Sequence, residues 1–302
     1  MRRLRLLIPL LIVASSVACA GPGPAPAANP SPAPRAYGVQ YDATHVYVEH
    51  GKLNQFIQSW EATFGGTHNP PSAFGITPTP SKAMASIIKS PVGLLAAYDY
   101  QTPIPFPFGS EQTGFGVRGL DSAVTAARAA GATAPVAPWT GPVGREAVVR
   151  FPGGFSSQLW EQFDMSGFPP LVTQPEFRVY LSADTVDAFL RSYLQFTGGK
   201  VLSDVTNADG GEIGAPGTTY HRIRITTPYG NTVVLANDGD WNYPYGRDTT
   251  GYTVPDLNAT IAKAKANGAT VLSGPYAGHD RNSVIMQFPG GYIAELHDGT
   301  FS

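Results

Sequence analysis

The chain has 302 residues, of which 42% are apolar and 14% charged, and 20 basic against 22 acidic side chains give a net charge of -2. This composition is typical of globular proteins, and the length suffices for two domains. The near-neutral charge provides no basic surface for nucleic acid and little attraction to anionic membranes. The composition therefore favours a small, uncharged or mildly polar ligand as partner.

The first 20 residues have the three-part layout of a bacterial export signal. They contain Arg2, Arg3 and Arg5, then the apolar run Leu6–Val13, and then small residues. The run is too short for a membrane-spanning helix. The sequence predicts an extracytoplasmic protein that is either secreted or lipid-anchored at the cell membrane.

The single cysteine, Cys19, follows Ser-Val-Ala and resembles the acylated cysteine of a bacterial lipoprotein, although the usual leucine is missing. Membrane association would then occur only through the lipid anchor. Ordinary cleavage after Ala20 is the alternative, because Ala18 and Ala20 satisfy the small-x-small rule. Residues 21–36 are rich in proline and alanine and are predicted to form a stiff linker.

Two long stretches of the chain repeat at an offset of 137, as the spacing from Gly114 to Gly251 shows. The first reads GFGVRGLDSAVTAARAAGAT and later FPGGFSSQLW, and the second reads GYTVPDLNATIAKAKANGAT and later FPGGYIAELH. Each predicts a strand, an alanine-rich helix that stops at glycine, and β-type runs around a Pro-Gly-Gly turn. The repeating unit is βαβββ.

A weaker repeat precedes each of these units. THVYVE at Thr44–Glu49 predicts a strand before the helical spacing of Leu53–Phe64, and FRVYLS at Phe177–Ser182 stands before Val186–Phe196 in the same way. Gly-Gly pairs end both predicted helices. The chain therefore contains four units, and a unit that cannot bury its apolar face alone must close against a neighbour.

These motifs, in this order, resemble the vicinal oxygen chelate superfamily, the group of glyoxalase I, extradiol dioxygenases and bleomycin-resistance proteins. The resemblance covers about residues 37–299. It implies an α+β fold in which four βαβββ modules pair into two cup-shaped mixed-sheet barrels. We expect a first glyoxalase-like domain over residues 37–168 and a second over residues 174–299, after the export signal (1–20) and the linker (21–36).

Metal-binding members of this superfamily take ligands from the first and last strands of each module. Transferred to the first cup, these positions fall on His45, Ala97, Gln112 and Gln158. The set lacks a carboxylate and has one position without a donor, which argues against a tight site for a divalent ion. The resemblance leaves one divalent metal ion as the candidate cofactor and establishes none.

The second cup offers Arg178, Val234, Thr249 and Glu295 at the corresponding positions. The guanidinium of Arg178 would repel a metal ion. Arg178 and Glu295 are expected to form an ion pair, with His297 on the same strand face as Glu295 because the two are two residues apart. These three side chains either bind a ligand or satisfy one another inside the barrel.

Paired aromatic residues recur in the links between modules, Phe106 and Phe108 in the first half and Tyr243 and Tyr245 in the second. By analogy with the family they would lie beside each cup mouth, where aromatic rings make good walls for a ligand. The alternative is a packed linker that covers a barrel edge. Trp160 is expected on the same strand face as Gln158.

The missing carboxylate in the first cup favours one function: an exported or surface-tethered small-molecule-binding protein of the bleomycin-resistance type with degenerate metal sites. The alternative is a metal-dependent lyase, isomerase or dioxygenase of the glyoxalase and dioxygenase type, with His45, Gln112 and Gln158 as ligands. In such an enzyme the ion would polarise vicinal oxygen atoms of the substrate. A purely structural or partner-binding lipoprotein is the third reading.

Overall fold

The computed structural model describes residues 35–76, 78–109, 113–141, 144–163, 168, 170–239, 241–299 and 301. The predicted export signal, Cys19 and most of the predicted linker lie outside these residues. Ala36, placed by the sequence at the end of the linker, is buried and forms a β-bridge with Val117. The folded part therefore includes residues before Tyr37, because the bridge attaches them to the sheet.

The first half of the described chain forms one mixed sheet from two βαβββ units. The strand order is β2-β4-β5-β1-β6-β9-β8-β7, with β3 paired to β4; the elements are β1 (Ala43–Val48), α1 (Leu53–Phe64), β2 (Thr67–His68), β3 (Ser72–Gly75), β4 (Lys82–Ser90), β5 (Gly93–Tyr100), β6 (Thr113–Gly116), α2 (Leu120–Ala129), β7 (Thr133–Thr140), β8 (Gly144–Arg150) and β9 (Ser156–Gln162). Strand β1 pairs parallel with β5 and antiparallel with β6, which joins the two units.

The second half repeats this arrangement. Its strand order is β11-β12-β13-β10-β14-β17-β16-β15; the elements are β10 (Glu176–Leu181), α3 (Val186–Thr197), β11 (Lys200–Asp209), β12 (Thr219–Thr227), β13 (Gly230–Ala236), β14 (Thr249–Thr253), α4 (Leu257–Ala266), β15 (Thr270–Ala277), β16 (Asn282–Gln287) and β17 (Ile293–His297). The predicted α+β class, with four modules paired into two mixed sheets, is confirmed.

The helices pack between the two halves and leave the opposite face of each sheet free. Helix α1 buries Leu53, Phe56, Ile57 and Trp60, a helical spacing that points one apolar stripe inward. This stripe shares one core cluster with α4 and with strands of both sheets, while α2 and α3 share another. No helix in the described part of the chain is long and apolar enough to cross a membrane. We call the concave face of each sheet, opposite the helices, the first cup and the second cup.

Both Pro-Gly-Gly turns adopt the conformation that their sequences predict. Gly153 and Gly154 have φ angles of 85° and 98°, and Gly290 and Gly291 have φ angles of 85° and 88°. Only glycine adopts these angles at little steric cost. Each turn thus returns the chain directly into the last strand of its module, which carries cup-facing residues.

Replacement of Trp60 by alanine should destabilise the whole body, because this fully buried ring contacts the second half of the chain. Its centroid lies 5.0 Å from those of Tyr252 and Phe288. We expect Trp60→Ala to lower the free energy of unfolding by about 3–5 kcal/mol in urea titrations. Asn54→Ala, on the exposed face of the same helix, should change it by less than about 0.5 kcal/mol. Equal effects of the two substitutions would contradict this packing.

Candidate functional site

Strand register places the same four positions at the base of each cup. In the first cup His45 on β1 pairs with Ala96 on β5, and Gly114 on β6 pairs with Gln158 on β9. In the second cup Arg178 on β10 pairs with Val233, and Gly251 on β14 pairs with Glu295 on β17. Each cup therefore receives one long side chain from each of its two modules, opposite a small or apolar neighbour.

The two glycines at these positions make room for the long side chains. A Cβ atom added at Gly114 would lie 2.8 Å from Nε2 of His45, and one added at Gly251 would lie 2.5 Å from Oε2 of Glu295. Real Cβ atoms do not approach polar atoms so closely. The absence of a side chain at residue 114 therefore lets the His45 imidazole reach the middle of the first cup.

Two positions that the sequence assigned to the cups face the other way. Ala97 and Val234 are fully buried in the core clusters beside the helices. Because side chains alternate along a strand, the cup-facing residues are their neighbours Ala96 and Val233. Counting from the preceding glycine gave a register wrong by one residue. Gln112, the third predicted ligand, lies outside the described residues.

The first cup contains a cavity of about 430 Å³ that opens to solvent. His45 and Gln158, both predicted as site residues, line it together. Trp160 also lines it, which confirms that this residue shares a strand face with Gln158. A smaller chamber of about 30 Å³ adjoins it, and His45 and Gln158 line both spaces. The structure therefore brings these predicted residues into one site.

Glu146 on β8 supplies the carboxylate that the sequence analysis found missing. It lines both spaces, and its Oε2 accepts a hydrogen bond of 2.6 Å from Nε2 of Gln158. Burial raises the pKa of the Glu146 carboxyl above its ordinary value of 4.5, although His45 and the bond from Gln158 oppose the shift. The sequence of β8 could have indicated this position by its alternation of side chains. Ala147 and Val149 face the helices, so Glu146 faces the cup.

The aromatic residues of the first half divide between the cup and its exterior. Trp160 and Phe168 flank the larger cavity, with ring centroids 6.2 Å apart. Phe108 is buried in the smaller chamber, 5.9 Å from Trp139. Phe106, predicted beside the cup mouth, is 71% exposed under the guanidinium of Arg150 and lines neither space.

The corresponding tyrosines of the second half separate in the same way. Tyr243 is 65% exposed, like Phe106. Tyr245 packs against the apolar cluster of the second cup and donates a hydrogen bond of 3.1 Å to Ser273. In each link the first aromatic residue therefore faces solvent and only the second reaches a cup.

The second cup contains five buried charged side chains that are linked by ion pairs, which we call the charged network. Arg178 pairs with Glu295 at 3.5 Å, Glu295 with His297 at 2.7 Å, His297 with Glu176 at 3.1 Å and Glu176 with Arg281 at 2.9 Å. The predicted pair and the predicted proximity of His297 are both present. Glu176 and Arg281 extend the set beyond what the sequence indicated.

The ion pairs of this charged network keep its five side chains in the charged form. Burial alone would lower the pKa of His297, but the carboxylates of Glu295 and Glu176 raise that pKa to about 9. Burial would raise the pKa of both carboxyls, yet the neighbouring cations hold it below the ordinary value of 4.5. Each buried carboxylate thus lies between two cationic partners, which offsets the cost of its burial.

The two cups differ because equivalent positions carry side chains of different size. In the first cup Ala43, Ala85 and Ile87 line the cavity. The strand pairings put Glu176, Arg222 and Arg224 at the equivalent positions of the second cup. The long charged side chains occupy the volume that the short apolar ones leave open. Within the part of the chain that the structure describes, the open cavity among these strands therefore lies in the first cup.

The donor sets of the cups differ in their fit to a divalent ion. No group of three or more His, Cys, Asp or Glu side chains suited to a metal is present in the described part of the chain. In the first cup, however, an imidazole, a carboxylate and an amide oxygen line one space, and such N and O donors suit borderline dications. A cation would also favour the charged form of the half-buried Glu146 carboxyl, whose pKa burial raises. The second cup does not fit, because Arg178 and Arg281 already neutralise its carboxylates.

No known family model and no curated protein matches the sequence. Solved structures do match, among them a triple mutant of 4-hydroxymandelate synthase from Streptomyces coelicolor with 13% identity, a TM-score of 0.61, and coverage of 89% of this chain and 94% of that one. A Mn(II)-bound glyoxalase from Novosphingobium aromaticivorans has 12% identity and a TM-score of 0.52, with coverage of 87% and 82%. A 2,3-dioxygenase from a Pseudomonas species has 12% identity and a TM-score of 0.53, with coverage of 87% and 93%.

The TM-scores of 0.52 to 0.61 show that these structures and the present one share a fold. The chain therefore has the vicinal oxygen chelate fold, as its repeats predicted. At such low identity the similarity establishes the fold and leaves the chemistry to the residues of the cups.

The charged network in the second cup should make the free energy of unfolding depend on pH. The folded-state pKa of His297, about 9, lies above its ordinary value of 6.5, so its contribution is complete below pH 6.5 and is lost as the pH rises to 9. The pKa values of Glu176 and Glu295 are lowered, so their contribution is present above pH 4.5 and is lost in acid.

Urea unfolding between pH 6 and pH 10 should therefore show the free energy of unfolding falling through the alkaline window. His297→Gln should flatten this slope, whatever its effect on absolute stability. His221→Gln, which removes a partly exposed histidine bound to Asp204, should retain the slope. An unchanged slope in His297→Gln would show that the imidazole is not charged in the folded protein.

Proposed function

We propose that the chain is a metal-dependent enzyme of the glyoxalase or dioxygenase type with its active site in the first cup. The observation that supports this proposal is the presence of Glu146 in the first cup. The sequence favoured a non-catalytic binding protein because no carboxylate was expected at that site. His45, Glu146 and Gln158 would hold the divalent ion. The names of the structural neighbours, which include a synthase, a Mn(II)-bound glyoxalase and a dioxygenase, support the same reading.

The bound ion would act as a Lewis acid toward the oxygen atoms of a substrate. The protein side chains would position that substrate and keep water away from it. Trp160 and Phe168 would stack against its planar or apolar part, and the larger cavity has the volume of a small organic molecule. Gln158 holds the Glu146 carboxylate by its hydrogen bond, which fixes one oxygen and leaves the other available to the ion or to a proton.

A metal-free binding protein is the second candidate. It is supported by the bond of 2.6 Å from Gln158 to Glu146, which satisfies one carboxylate oxygen without an ion. The same cavity would then bind an organic ligand by stacking and burial. Equilibrium binding of such a ligand in the presence of a chelator would favour this candidate.

Export and anchoring are part of the proposal on the basis of the first 20 residues alone. The protein would act outside the cytoplasm, either free or attached through Cys19. Its partner would be a small molecule, and no basic surface in the composition suggests nucleic acid.

Metal binding by the purified protein tests the proposed enzyme directly. Elemental analysis after purification without added metal, followed by calorimetric titration with Mn²⁺ or Zn²⁺, should give one ion per chain. Glu146→Gln should weaken binding more than about tenfold, because the anionic donor is lost. Glu49→Gln, an isosteric change at an exposed position, should leave the affinity unchanged. Failure of the wild type to bind either ion would sink this function and favour the binding protein.

A further inference from the structure

The smaller chamber of the first cup is walled mainly by aromatic rings. Tyr47 on β1 pairs with Tyr98 on β5, and their rings stack with centroids 5.8 Å apart. Tyr100 lies two residues further along β5 and therefore faces the same side of the sheet. Phe108 and Trp139 line the chamber from the other module, with their rings edge to face. An apolar group in the chamber would contact ring atoms on several sides.

Phe74 stands at the boundary between this chamber and the larger cavity. It lines both spaces, as do Tyr98 and the three donors His45, Glu146 and Gln158. The centroids of the Phe74 and Tyr98 rings lie 6.2 Å apart. The two rings thus form the boundary directly beside the donors.

Strand β3 holds Phe74 in this position. Phe74 pairs with Ala83 on β4, and the small side chain of Ala83 lets the Phe74 ring lie against Tyr98 on the next strand. Counted from the turn that follows β4 or β12, the equivalent pair of the second half is Ala208 with Tyr220. The ring at the outer strand is therefore a feature of the first cup.

The charges around the chamber favour an uncharged occupant. Among the described residues that line it there is no lysine or arginine, so an anionic group would lie near the Glu146 carboxyl without a basic partner. A cationic group would be repelled by the divalent ion of the proposed active site, and this step rests on the proposed function. An uncharged group avoids both costs.

The volume of the chamber limits such a group to one or two heavy atoms. The chamber measures about 30 Å³, which is about the share of one water molecule in the liquid, whereas an apolar cavity that binds benzene measures about 150 Å³. A ring must therefore stay in the larger cavity of about 430 Å³, where Trp160 and Phe168 provide aromatic walls.

We infer that the smaller chamber is a specificity subsite, which accepts one uncharged, methyl-sized substituent of a substrate whose body lies in the larger cavity. Phe74 sets the size limit of this subsite, because its ring closes the chamber toward the larger cavity. Calling the ligand a substrate rests on the proposed function. The selection itself depends on shape and polarity and needs no metal ion.

Crystals of the wild type pressurised with xenon test the polarity of the chamber without any variant. Xenon is uncharged and enters small apolar cavities. We expect an anomalous peak in the chamber, in contact with Phe74, Phe108 and Trp139. A chamber without xenon, whether or not ordered water occupies it, would overturn the inference.

Two probe molecules, 4-methylbenzyl alcohol and 4-butylbenzyl alcohol, test the size limit that Phe74 sets. Calorimetric titration in the presence of a chelator should show the wild type binding the methyl compound about tenfold more tightly, although the butyl compound is more hydrophobic. Phe74→Ala should abolish this preference, because it joins the chamber to the cavity. Phe106→Ala removes a ring that is 71% exposed and lines neither space, so it should retain the preference.

Equal or tighter binding of the butyl compound by the wild type, an unchanged preference in Phe74→Ala, or no binding of either probe would contradict the size limit. Because both experiments are performed without metal, their outcomes are separate from that of the metal titration. A protein that selects the methyl compound and binds no divalent ion would keep the subsite and lose the proposed enzyme. A protein that binds the ion without this selection would keep the enzyme and lose the subsite.

Discussion

The alternation of side chains along each β-strand is the constraint on which this structure depends. Every central strand must place one set of residues against the helices between the two halves and the other set in a cup. Val46 on β1 and Ala97 on β5 belong to the helix-facing core, whereas His45 and Ala96 face the cup. A shift of one residue would exchange the two sets and put the imidazole into the apolar core. The fold and the site are therefore determined by the same register.

Once the register is fixed, side-chain volume determines what each cup can do. The first cup has alanine at three cup-facing positions and a glycine beside His45, so a cavity remains around the donors. The second cup has long charged residues at most of the equivalent positions, and these bind one another. Duplication thus produced two equivalent frameworks, of which one retains space for a ligand and the other has become a charged core. The buried ion pairs bring a desolvation cost, which the local alternation of charge offsets.

The repeats made the fold predictable from sequence. Four copies of a helix-and-strand pattern with glycine stops, two of them with a Pro-Gly-Gly turn, specify local structure strongly because the chemistry of each turn recurs. Helix α1 has the predicted limits, Leu53–Phe64. The pair of Arg178 and Glu295, and the shared face of Gln158 and Trp160, also followed from position within a strand.

The site was only partly predictable, since it depends on contacts between strands that are distant in sequence. Ala97 and Val234 were assigned by counting from a glycine, which cannot detect a register shift of one residue. Glu146 was missed because it lies on the strand beside the one that the family pattern uses. Glu176 and Arg281 are 105 residues apart and meet only in the folded sheet. Side-chain direction in the links between modules, as at Phe106, likewise depends on tertiary packing.

The claim that chemistry belongs to the first cup is tested most directly by locating a metal ion in crystals of the protein. Crystals equilibrated with Mn²⁺ should give one anomalous peak per chain, within coordination distance of His45 and Glu146 and with access to the cavity beside Trp160. A peak among the charged side chains of the second cup, or no peak in the first cup at saturating Mn²⁺, would contradict it.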